Sequence, residues 1–356
     1  MSRQRALAAI HLRPTDRIPQ MECLQHPEFE RALTGIDPYR HPQMARLAML
    51  EKLDLDMFAA GVPSTDDPIE DPFADGASSK VLEDGRHVVR WGATSTSTWD
   101  WGKEFTSVKE VLDYDPLQDM PSGTLEDLAA SYQAGIDRER ELVGDLYLVT
   151  SGTYRTLFMW PMMTFGWELF LEAAASEPGP FRELMEGFAQ VSERVFTALA
   201  MTDVEVVTSH DDICMARGTV FSPAWLEEVV YPHYTRFWKI VGDAGKKVIF
   251  ISDGRVNPVA DAVFACGADG LFAEPHTDLE PIVEMYGDSK ILIGNVDTRV
   301  LSYGDQAGIE AEVKRCMEMG RDAPGYFINV TNEITYNAPV ENVMAYFSFC
   351  ERYGKR

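Results

Sequence analysis

The run Lys247-Val-Ile-Phe-Ile-Ser-Asp253-Gly254 is a short stretch of β-branched and aromatic residues that stops on a carboxylate and a glycine. It is too brief for a free-standing helix, and its composition is typical of a buried strand. In a parallel β/α array the residues just past each strand gather on one rim, where ligands bind. Four further runs stop in the same way, on acidic or amide residues: Val204–Asp212, Gly270–Pro275, Ile291–Asp297 and Tyr326–Glu333. The pattern predicts a rim that is acidic and rich in amides, with few lysines or arginines.

Eight candidate strands can be counted along the chain. Helical patterns fall between most of them, and strand–helix alternation of this kind predicts a parallel sheet. Eight strands predict closure of that sheet into a (β/α)8 TIM barrel, a fold of the α/β class. The candidate strands are Arg17–Cys23, Leu55–Val62, Leu146–Ser151, Val204–His210, Val248–Ser252, Gly270–Ala273, Ile291–Asn295 and Tyr326–Val330.

The predicted helices have recognisable beginnings and amphipathic patterns. Ser222-Pro223 and Asn257-Pro258 are typical of helix starts, with a capping side chain followed by proline at the first helical position. Further helices are predicted at the N-terminus and over Phe181–Met201, Gly308–Met319 and Pro339–Tyr353.

A chain of 356 residues fits one barrel, so we expect a single domain over residues 1–356. The alternation of strand and helix breaks between about residues 63 and 145, which we interpret as an insertion after the second strand. Within the insertion we predict a hairpin from Lys80–Leu82 to His87–Trp91 that turns at Asp84-Gly85. A helix near Leu125–Arg138 is predicted to follow it.

Composition excludes several classes of protein. A formal charge of −25 disfavours nucleic acid as a partner, because phosphate binding depends on clustered lysine and arginine. There is no apolar run of membrane-spanning length and no apolar core of a signal peptide near the start, so we expect a cytoplasmic protein without a membrane partner. Five cysteines without a C-x-x-C pair indicate neither a disulfide framework nor a zinc ribbon.

The candidate site residues are those at the predicted strand ends. Because these ends share one rim, we expect their side chains to form a polar ligand site. For any one of them the alternative is a turn former or helix cap, and for His210 it is a structural histidine with its hydrogen bonds satisfied. The candidates are His210, Asp211, Asp212, Asp253, Asn295, Asp297, Asn332, Glu333 and Tyr336.

Aromatic residues are a second group of candidates. Tyr154 and Trp160 would flank a flat ligand at the mouth of the pocket, or they would belong to a packed loop that covers the core. Trp99-Asp100-Trp101 in the insertion has the same two interpretations.

The residue types indicate the chemistry of the ligand. Carboxylates and amides can pair with the N–H edge of a pterin or purine-like ring, and carboxylates repel an anionic substrate. The sequence holds no P-loop, G-x-G-x-x-G, G-x-S-x-G or H-E-x-x-H motif, so nucleotide binding, serine hydrolysis and that type of metal site are not indicated.

Several segments resemble the uroporphyrinogen decarboxylase superfamily. The segment from Asp211-Asp212 to Ser222-Pro223, followed by Tyr231-Pro-His-Tyr, is similar to its D-D-x(5)-G-x(3)-S-P element. Its later D-G, G-N-x-D and P-x-E-N-V elements are matched in order by Asp253-Gly254, Gly294-Asn-Val-Asp297 and Pro339-Val-Glu-Asn-Val343. The resemblance covers about residues 146–353 well and the first 140 weakly. It implies a (β/α)8 barrel with its site at the C-terminal rim, in a superfamily of porphyrinogen decarboxylases and cobamide-dependent methyltransferases.

Two departures from the superfamily narrow the implied activity. Decarboxylases carry an arginine-rich R-Q-A-G-R loop and a late G-H-x-(I/L) histidine. In this chain the loop corresponds to Met21–Phe29, which contains no arginine, and the histidine is replaced by Asn332. The zinc-dependent methyltransferases carry H-x-C-G after strand five and a cysteine in the last loop. Here those positions are Ile251-Ser-Asp253-Gly254 and Asn332, so all three zinc ligands are missing and we expect no bound metal.

Apart from these two groups of the superfamily, the sequence resembles the corrinoid methyl-transfer branch, whose methyl donor or acceptor is tetrahydrofolate. The resemblance implies transfer of a methyl group between methylcobalamin, carried by a separate corrinoid protein, and the pterin. We expect Asp253 and Asn295 nearest the reacting N5, with Asp211, Asp212, Asp297 and Asn332 recognising the pterin. The alternatives are a divergent decarboxylase-like lyase and a non-catalytic pterin- or corrinoid-binding module.

Overall fold

The computed structural model describes residues 2–71, 73–74, 76–81, 87–90, 96–98 and 105–356. The chain forms two compact units. Unit 1 comprises Met1–Trp99, Asp137–Val149 and Ala273–Arg356, and unit 2 comprises Asp100–Ile136 and Thr150–Phe272. Both units are discontinuous in sequence, and both ends of the chain belong to unit 1.

The strands are short, and most have buried side chains. In chain order they are β1 (Met21–Glu22), β2 (Leu24–Gln25), β3 (Met57–Phe58), β4 (Ser79–Val81), β5 (His87–Arg90), β6 (Thr96–Thr98), β7 (Ser151–Thr153), β8 (Val206–His210), β9 (Cys214–Met215), β10 (Gly218–Thr219), β11 (Lys247–Ile251), β12 (Gly270–Phe272), β13 (Ile291–Ile293), β14 (Tyr326–Phe327) and β15 (Ile334–Thr335).

The helices contribute further apolar side chains to the core. They are α1 (Ser2–Ile10), α2 (Pro27–Thr34), α3 (Pro42–Leu53), α4 (Val108–Leu112), α5 (Leu125–Val143), α6 (Met159–Phe165), α7 (Trp167–Ser176), α8 (Pro178–Ala200), α9 (Pro223–Val229), α10 (Tyr231–Asp243), α11 (Ala260–Ala265), α12 (Glu280–Tyr286), α13 (Thr298–Tyr303), α14 (Gln306–Gly320) and α15 (Val340–Tyr353), with a 3₁₀ helix at Pro116–Asp119. None of the described helices is long and apolar enough to cross a membrane.

The main sheet is parallel and contains six strands. In unit 2 its order is β7, β8, β11, β12, and in unit 1 β13 pairs with β14. Unit 1 also pairs β1 with β3 in parallel, and a parallel bridge joins Gln20 to Ile328. The first predicted strand therefore lies beside the last, as closure of a barrel requires. The predicted α/β TIM-barrel fold is confirmed.

Each of the eight predicted strands contains strand or bridge residues, although the paired segments are shorter than predicted. Gly152 lies where β7 closely approaches the backbone of β8. A Cβ on Gly152 would lie 2.1 Å from the carbonyl oxygen of Thr208 on β8. Only glycine can occupy that position without displacing a strand.

The helix predictions hold with one exception. Ser222 caps α9, and its hydroxyl accepts a hydrogen bond from the Trp225 N–H at 3.2 Å. The helix predicted to start at Asn257-Pro258 is present, but it begins two residues later, because Asn257-Pro258 form a turn and α11 begins at Ala260. Asn and Pro are equally typical of turns, and the sequence alone does not separate the two uses.

The predicted insertion contains the expected hairpin. β4 and β5 are antiparallel, with Ser79 opposite Val89, while the predicted turn at Asp84-Gly85 and the Trp99–Trp101 segment lie outside the described residues. The helix predicted near residues 125–138 is confirmed by α5. The interpretation of the whole chain as one domain stays a prediction.

Candidate functional site

In unit 2 the ends of β8 and β11 bring three candidate residues together. Ile251 is paired with His210 in the parallel register, so the residues that follow both strands are neighbours. Asp212 Oδ1 lies 3.0 Å from His210 Nε2 and accepts a hydrogen bond from the Asp253 N–H at 2.8 Å. The potential ligand atoms of His210, Asp212 and Asp253 all lie within 4.8 Å of one another.

Tyr154 belongs to the same group. Its ring meets the His210 imidazole edge to face at a centroid distance of 4.4 Å, and half of its surface is exposed. Burial and the charges of Asp212 and Asp253 raise the pKa of Tyr154 to about 12. The phenol therefore stays protonated at neutral pH.

The electrostatic surroundings of His210 favour the imidazolium. Burial would lower its pKa, but the hydrogen bond to Asp212 and the charges of Asp212, Asp253 and Asp211 raise the pKa above its ordinary value. His210 is thus a histidine in a negative field at the end of a strand.

The turn after Asp253 depends on glycine. Gly254 has φ +84°, and a Cβ there would lie 2.5 Å from the backbone carbonyl carbon of Met215. Any other residue would displace the loop that carries Asp253.

Asp211 has a different environment from its neighbour Asp212. Its side chain is fully buried and accepts hydrogen bonds from the N–H groups of Leu157, Phe158 and Met159 at 2.7–3.0 Å, and from the Tyr234 hydroxyl at 2.6 Å. Burial raises its pKa to about 6, although these donors favour the carboxylate. The prediction that Asp211 contacts a ligand does not fit this geometry, because its acceptor positions are used inside the fold.

In unit 1 a cavity of about 340 Å³ holds the second group of candidates. The predicted residues Asp297, Asn332 and Glu333 all line it. The other residues of its wall are Glu274, Pro275, His276, Thr298, Arg299, Ser302, Tyr303, Thr331, Thr335 and Asn337.

Asp297 and Asn332 are held in fixed positions at this cavity. Asp297 caps α13 and forms a bidentate ion pair with Arg299, with a shortest distance of 2.6 Å. Burial would raise the pKa of Asp297, but Arg299 keeps it below its ordinary value. Asn332 is exposed, has the left-handed φ of +68°, and donates a hydrogen bond to Glu274 Oε1 at 3.2 Å.

Asn295 is almost fully buried and does not line the unit 1 cavity. It is 3% exposed, its amide nitrogen donates to the Thr277 carbonyl at 2.9 Å, and its Oδ1 accepts from Arg315 at 3.0 Å. The prediction that Asn295 contacts the reacting nitrogen does not fit this arrangement. Asn295 instead fixes the loops after β13 and before α12.

Three other candidates make identifiable contacts within the fold. The Trp160 indole is buried and donates to Asp119 at 3.2 Å, which fits the packed-loop interpretation. Tyr336 lies under the guanidinium of Arg90, 4.7 Å from its ring centre. Glu333 is buried except where it lines the cavity, and it accepts a hydrogen bond from Gln25 at 3.2 Å.

Sequence reasoning missed Arg299, His276 and Glu274 in the cavity wall. Glu274 directly follows the predicted strand Gly270–Ala273, and this position is a sequence signal that could have identified it. Arg299 introduces a cation at a place where an acidic and amide-rich rim was predicted.

Comparisons with known proteins agree with this fold. Residues 157–353, more than half of the chain, match the family described as Uroporphyrinogen decarboxylase (URO-D). The chain belongs to the uroporphyrinogen decarboxylase family.

Relatives of the URO-D family are distant in sequence. The uroporphyrinogen decarboxylase of Pelobacter propionicus is 27% identical over 167 residues, which is 47% of each chain, and that of Geobacter sulfurreducens is 29% identical over 127 residues, 36% of this chain and 37% of the relative. The chain thus matches less than half the length of these relatives. A methyltransferase from Methanosarcina mazei has the same fold, with a TM-score of 0.64 at 17% identity, over 99% of this chain and 98% of that one.

The Asp211 contacts generate a prediction about stability. In an Asp211→Asn variant, an amide N–H group would face backbone N–H donors that now bind a carboxylate oxygen. We expect the free energy of unfolding to fall by about 2–4 kcal/mol. Urea denaturation followed by circular dichroism measures the change.

The control variant is Asp243→Asn, which removes an exposed carboxylate paired with Lys239 on α10. We expect that variant to change the free energy of unfolding by less than about 1 kcal/mol. Equal stability of Asp211→Asn and the control would show that the buried hydrogen bonds of Asp211 do not stabilise the fold.

Proposed function

We propose that this protein transfers a methyl group between a corrinoid protein, which carries methylcobalamin, and tetrahydrofolate. The observation that carries the proposal is the unit 1 cavity with its wall of acids and amides. A cavity of about 340 Å³ falls in the usual range for a small-molecule site. The methyltransferase fold of the Methanosarcina mazei protein is compatible with the proposal.

The donors and acceptors of the cavity fit the edge of a pterin. A reduced pterin offers a 2-amino group and ring N–H donors along one edge, and carboxylate oxygens are the strongest neutral-pH acceptors for them. Asp297, which stays ionised beside Arg299, and Glu274 provide such acceptors. The amides of Asn332 and Asn337 can donate to, or accept from, the ring carbonyl and nitrogens.

The charge balance of this wall disfavours a porphyrinogen. Its carboxylates are Glu274, Asp297 and Glu333, and its one arginine, Arg299, is already bound to Asp297. Each substrate carboxylate placed about 4 Å from a wall carboxylate would cost up to about 4 kcal/mol at a surface-like dielectric. A ring of such carboxylates needs cations that this wall does not offer.

The stretch Met21–Phe29 supports the same conclusion. Decarboxylases of the superfamily carry arginines in the corresponding loop, whereas this chain has Glu22, which is fully buried. Glu22 accepts hydrogen bonds from Tyr346 at 2.5 Å and from Gln20 at 2.8 Å. Burial raises the pKa of Glu22 to about 8. The stretch thus supplies packing and no cationic clamp.

Methyl transfer to or from N5 requires alignment of the pterin with cobalt and a group that adjusts the proton on N5. Asp253 is proposed as that group on grounds separate from the cavity wall, which it does not line: it is a carboxylate that follows a buried strand and lies beside the His210 and Asp212 pair. Asn295 is proposed as a positioning residue, because its amide fixes the loop that carries Asp297.

A binding titration tests the proposed ligand. We expect calorimetry to give micromolar or tighter affinity for tetrahydrofolate and no competition by uroporphyrin. Asn332→Gly removes the amide while glycine keeps the left-handed backbone, so the affinity for tetrahydrofolate should fall about tenfold.

Leu12→Gly is the matched control, because Leu12 also has a left-handed backbone, φ +54°, and does not line the cavity. Its affinity for tetrahydrofolate should equal that of the parent protein. Binding of uroporphyrin without binding of tetrahydrofolate would overturn the proposal in favour of a decarboxylase-like lyase, the activity named for the curated relatives.

The role of Asp253 has its own test. We expect Asp253→Asn to fold normally and to transfer methyl groups about 10- to 150-fold more slowly, because a charge-assisted bond to a ligand contributes roughly 1.5–3 kcal/mol. The cobalt absorbance reports transfer from methylcobalamin. Near-normal turnover by the folded variant would remove Asp253 from the mechanism. If the parent protein binds tetrahydrofolate without any turnover, the protein is a non-catalytic binding module.

A further inference from the structure

We propose that one face of α13 binds the tail of tetrahydrofolate at the mouth of the unit 1 cavity. Tetrahydrofolate consists of a pterin, a p-aminobenzoyl ring and a glutamate with two carboxylates. Tyr303 contacts the benzoyl ring, and Arg299 binds one carboxylate of the glutamate. The inference rests on the proposed function, and it adds which end of the ligand lies at the surface and which residues bind that end.

The wall of the cavity is buried at one end and exposed at the other. Thr331, Glu333 and Glu274 line the cavity and are buried. Tyr303 is 81% exposed, and the Arg299 side chain is 64% exposed, so these two residues form the mouth. A ligand that places the N–H edge of its pterin against the buried acids has its charged tail at the mouth. Its carboxylates then stay close to water and away from Glu274 and Glu333.

Three residues of α13 present one face to the cavity. Arg299, Ser302 and Tyr303 are spaced three and four residues apart, which places them on the same side of a helix, and all three line the cavity. The face therefore offers a cation, a hydroxyl group and an aromatic ring in a row. The tail of tetrahydrofolate carries a complementary series, which is an aromatic ring, an amide and a carboxylate.

The guanidinium of Arg299 has one edge that Asp297 does not use. Asp297 accepts hydrogen bonds from Nε at 2.9 Å and from Nη2 at 2.6 Å, which occupies one of the two edges that can bind a carboxylate through two donors. Within the described part of the chain, Asp297 is the only carboxylate that pairs with Arg299. The edge formed by Nη1 and Nη2 can therefore bind one carboxylate of a ligand. A single edge does not offset the ring of carboxylates of a porphyrinogen.

Tyr303 offers an aromatic surface that the fold does not cover. Among the described residues it is the most exposed of the large hydrophobic side chains. A single exposed aromatic residue is ordinary on a protein surface, but this one also lines a cavity. Contact with the benzoyl ring would remove apolar surface of both rings from water, and a tyrosine loses little rotational freedom on binding.

Calorimetric titration of the full chain with two ligands, without oxygen, tests the role of Arg299. The ligands are tetrahydrofolate and 6-methyltetrahydropterin, which has the pterin but neither the benzoyl ring nor the glutamate. We expect the parent protein to bind tetrahydrofolate at least about tenfold more tightly. Arg299→Gln should weaken binding of tetrahydrofolate about tenfold and leave the affinity for 6-methyltetrahydropterin unchanged within about twofold, because the latter has no carboxylate.

Two variants of Tyr303 test the ring contact. Tyr303→Leu should weaken binding of tetrahydrofolate about fivefold, because it removes the aromatic ring. Tyr303→Phe keeps the ring and should keep the affinity of the parent protein. Neither variant should change the affinity for 6-methyltetrahydropterin.

Arg31→Gln is the matched control. Arg31 is a partly exposed arginine of unit 1 that is also paired with a carboxylate, Glu28 at 2.8 Å, and it does not line the cavity. This variant should bind both ligands as the parent protein does.

Three results would overturn the inference and leave the proposed function intact. They are equal affinities of the parent protein for the two ligands, equal weakening of both by Arg299→Gln, and an unchanged affinity for tetrahydrofolate in both Arg299→Gln and Tyr303→Leu. Equal weakening of both ligands would show that Arg299 acts only through Asp297. Binding of neither ligand by the parent protein would overturn the proposed function, and the tail site with it.

Discussion

The buried carboxylate of Asp211 is the interaction on which the unit 2 site depends. It joins the end of β8 to the start of α6, through the N–H groups of Phe158 and Met159, and to α10 through Tyr234. A carboxylate without exposed surface needs several donors to offset its lost hydration, and these donors come from elements that are distant in sequence. The hydrogen bonds therefore fix the end of β8, which carries His210, and the loop that carries Asp212.

Asp211 and Asp212 are adjacent in sequence, but Asp211 stabilises the fold and Asp212 belongs to the candidate site. Successive side chains at a strand end point in opposite directions, so one carboxylate turns into the core and the next turns toward His210 and Asp253. The hydrogen bonds of the Asp211 side chain fix the backbone, and the position of the backbone fixes Asp212. A similar pair of residues occurs in unit 1, where buried Asn295 fixes loops and Asp297 lines the cavity.

The apolar runs that end on polar residues were sufficient to predict the eight strands, because burial and strand length act locally. They also predicted that Asp253 would follow a strand directly. The sequence could not assign Asp211 and Asn295 to the interior, since the donors that bury them come from residues far along the chain. Nor could it predict that His210 and Asp253 lie close together, which depends on the register of β8 with β11. Arg299 was missed because a helix, and not a strand end, carries it to the cavity.

The proposed function requires that the protein move a methyl group to or from a pterin. A single-turnover reaction with ¹³C-labelled methylcobalamin and tetrahydrofolate, followed by ¹³C NMR, tests this most directly. We expect the label to leave cobalt and to appear on N5 of tetrahydrofolate in a reaction that requires the protein. Retention of the label on cobalt, together with release of carbon dioxide from uroporphyrinogen by the same preparation, would contradict it.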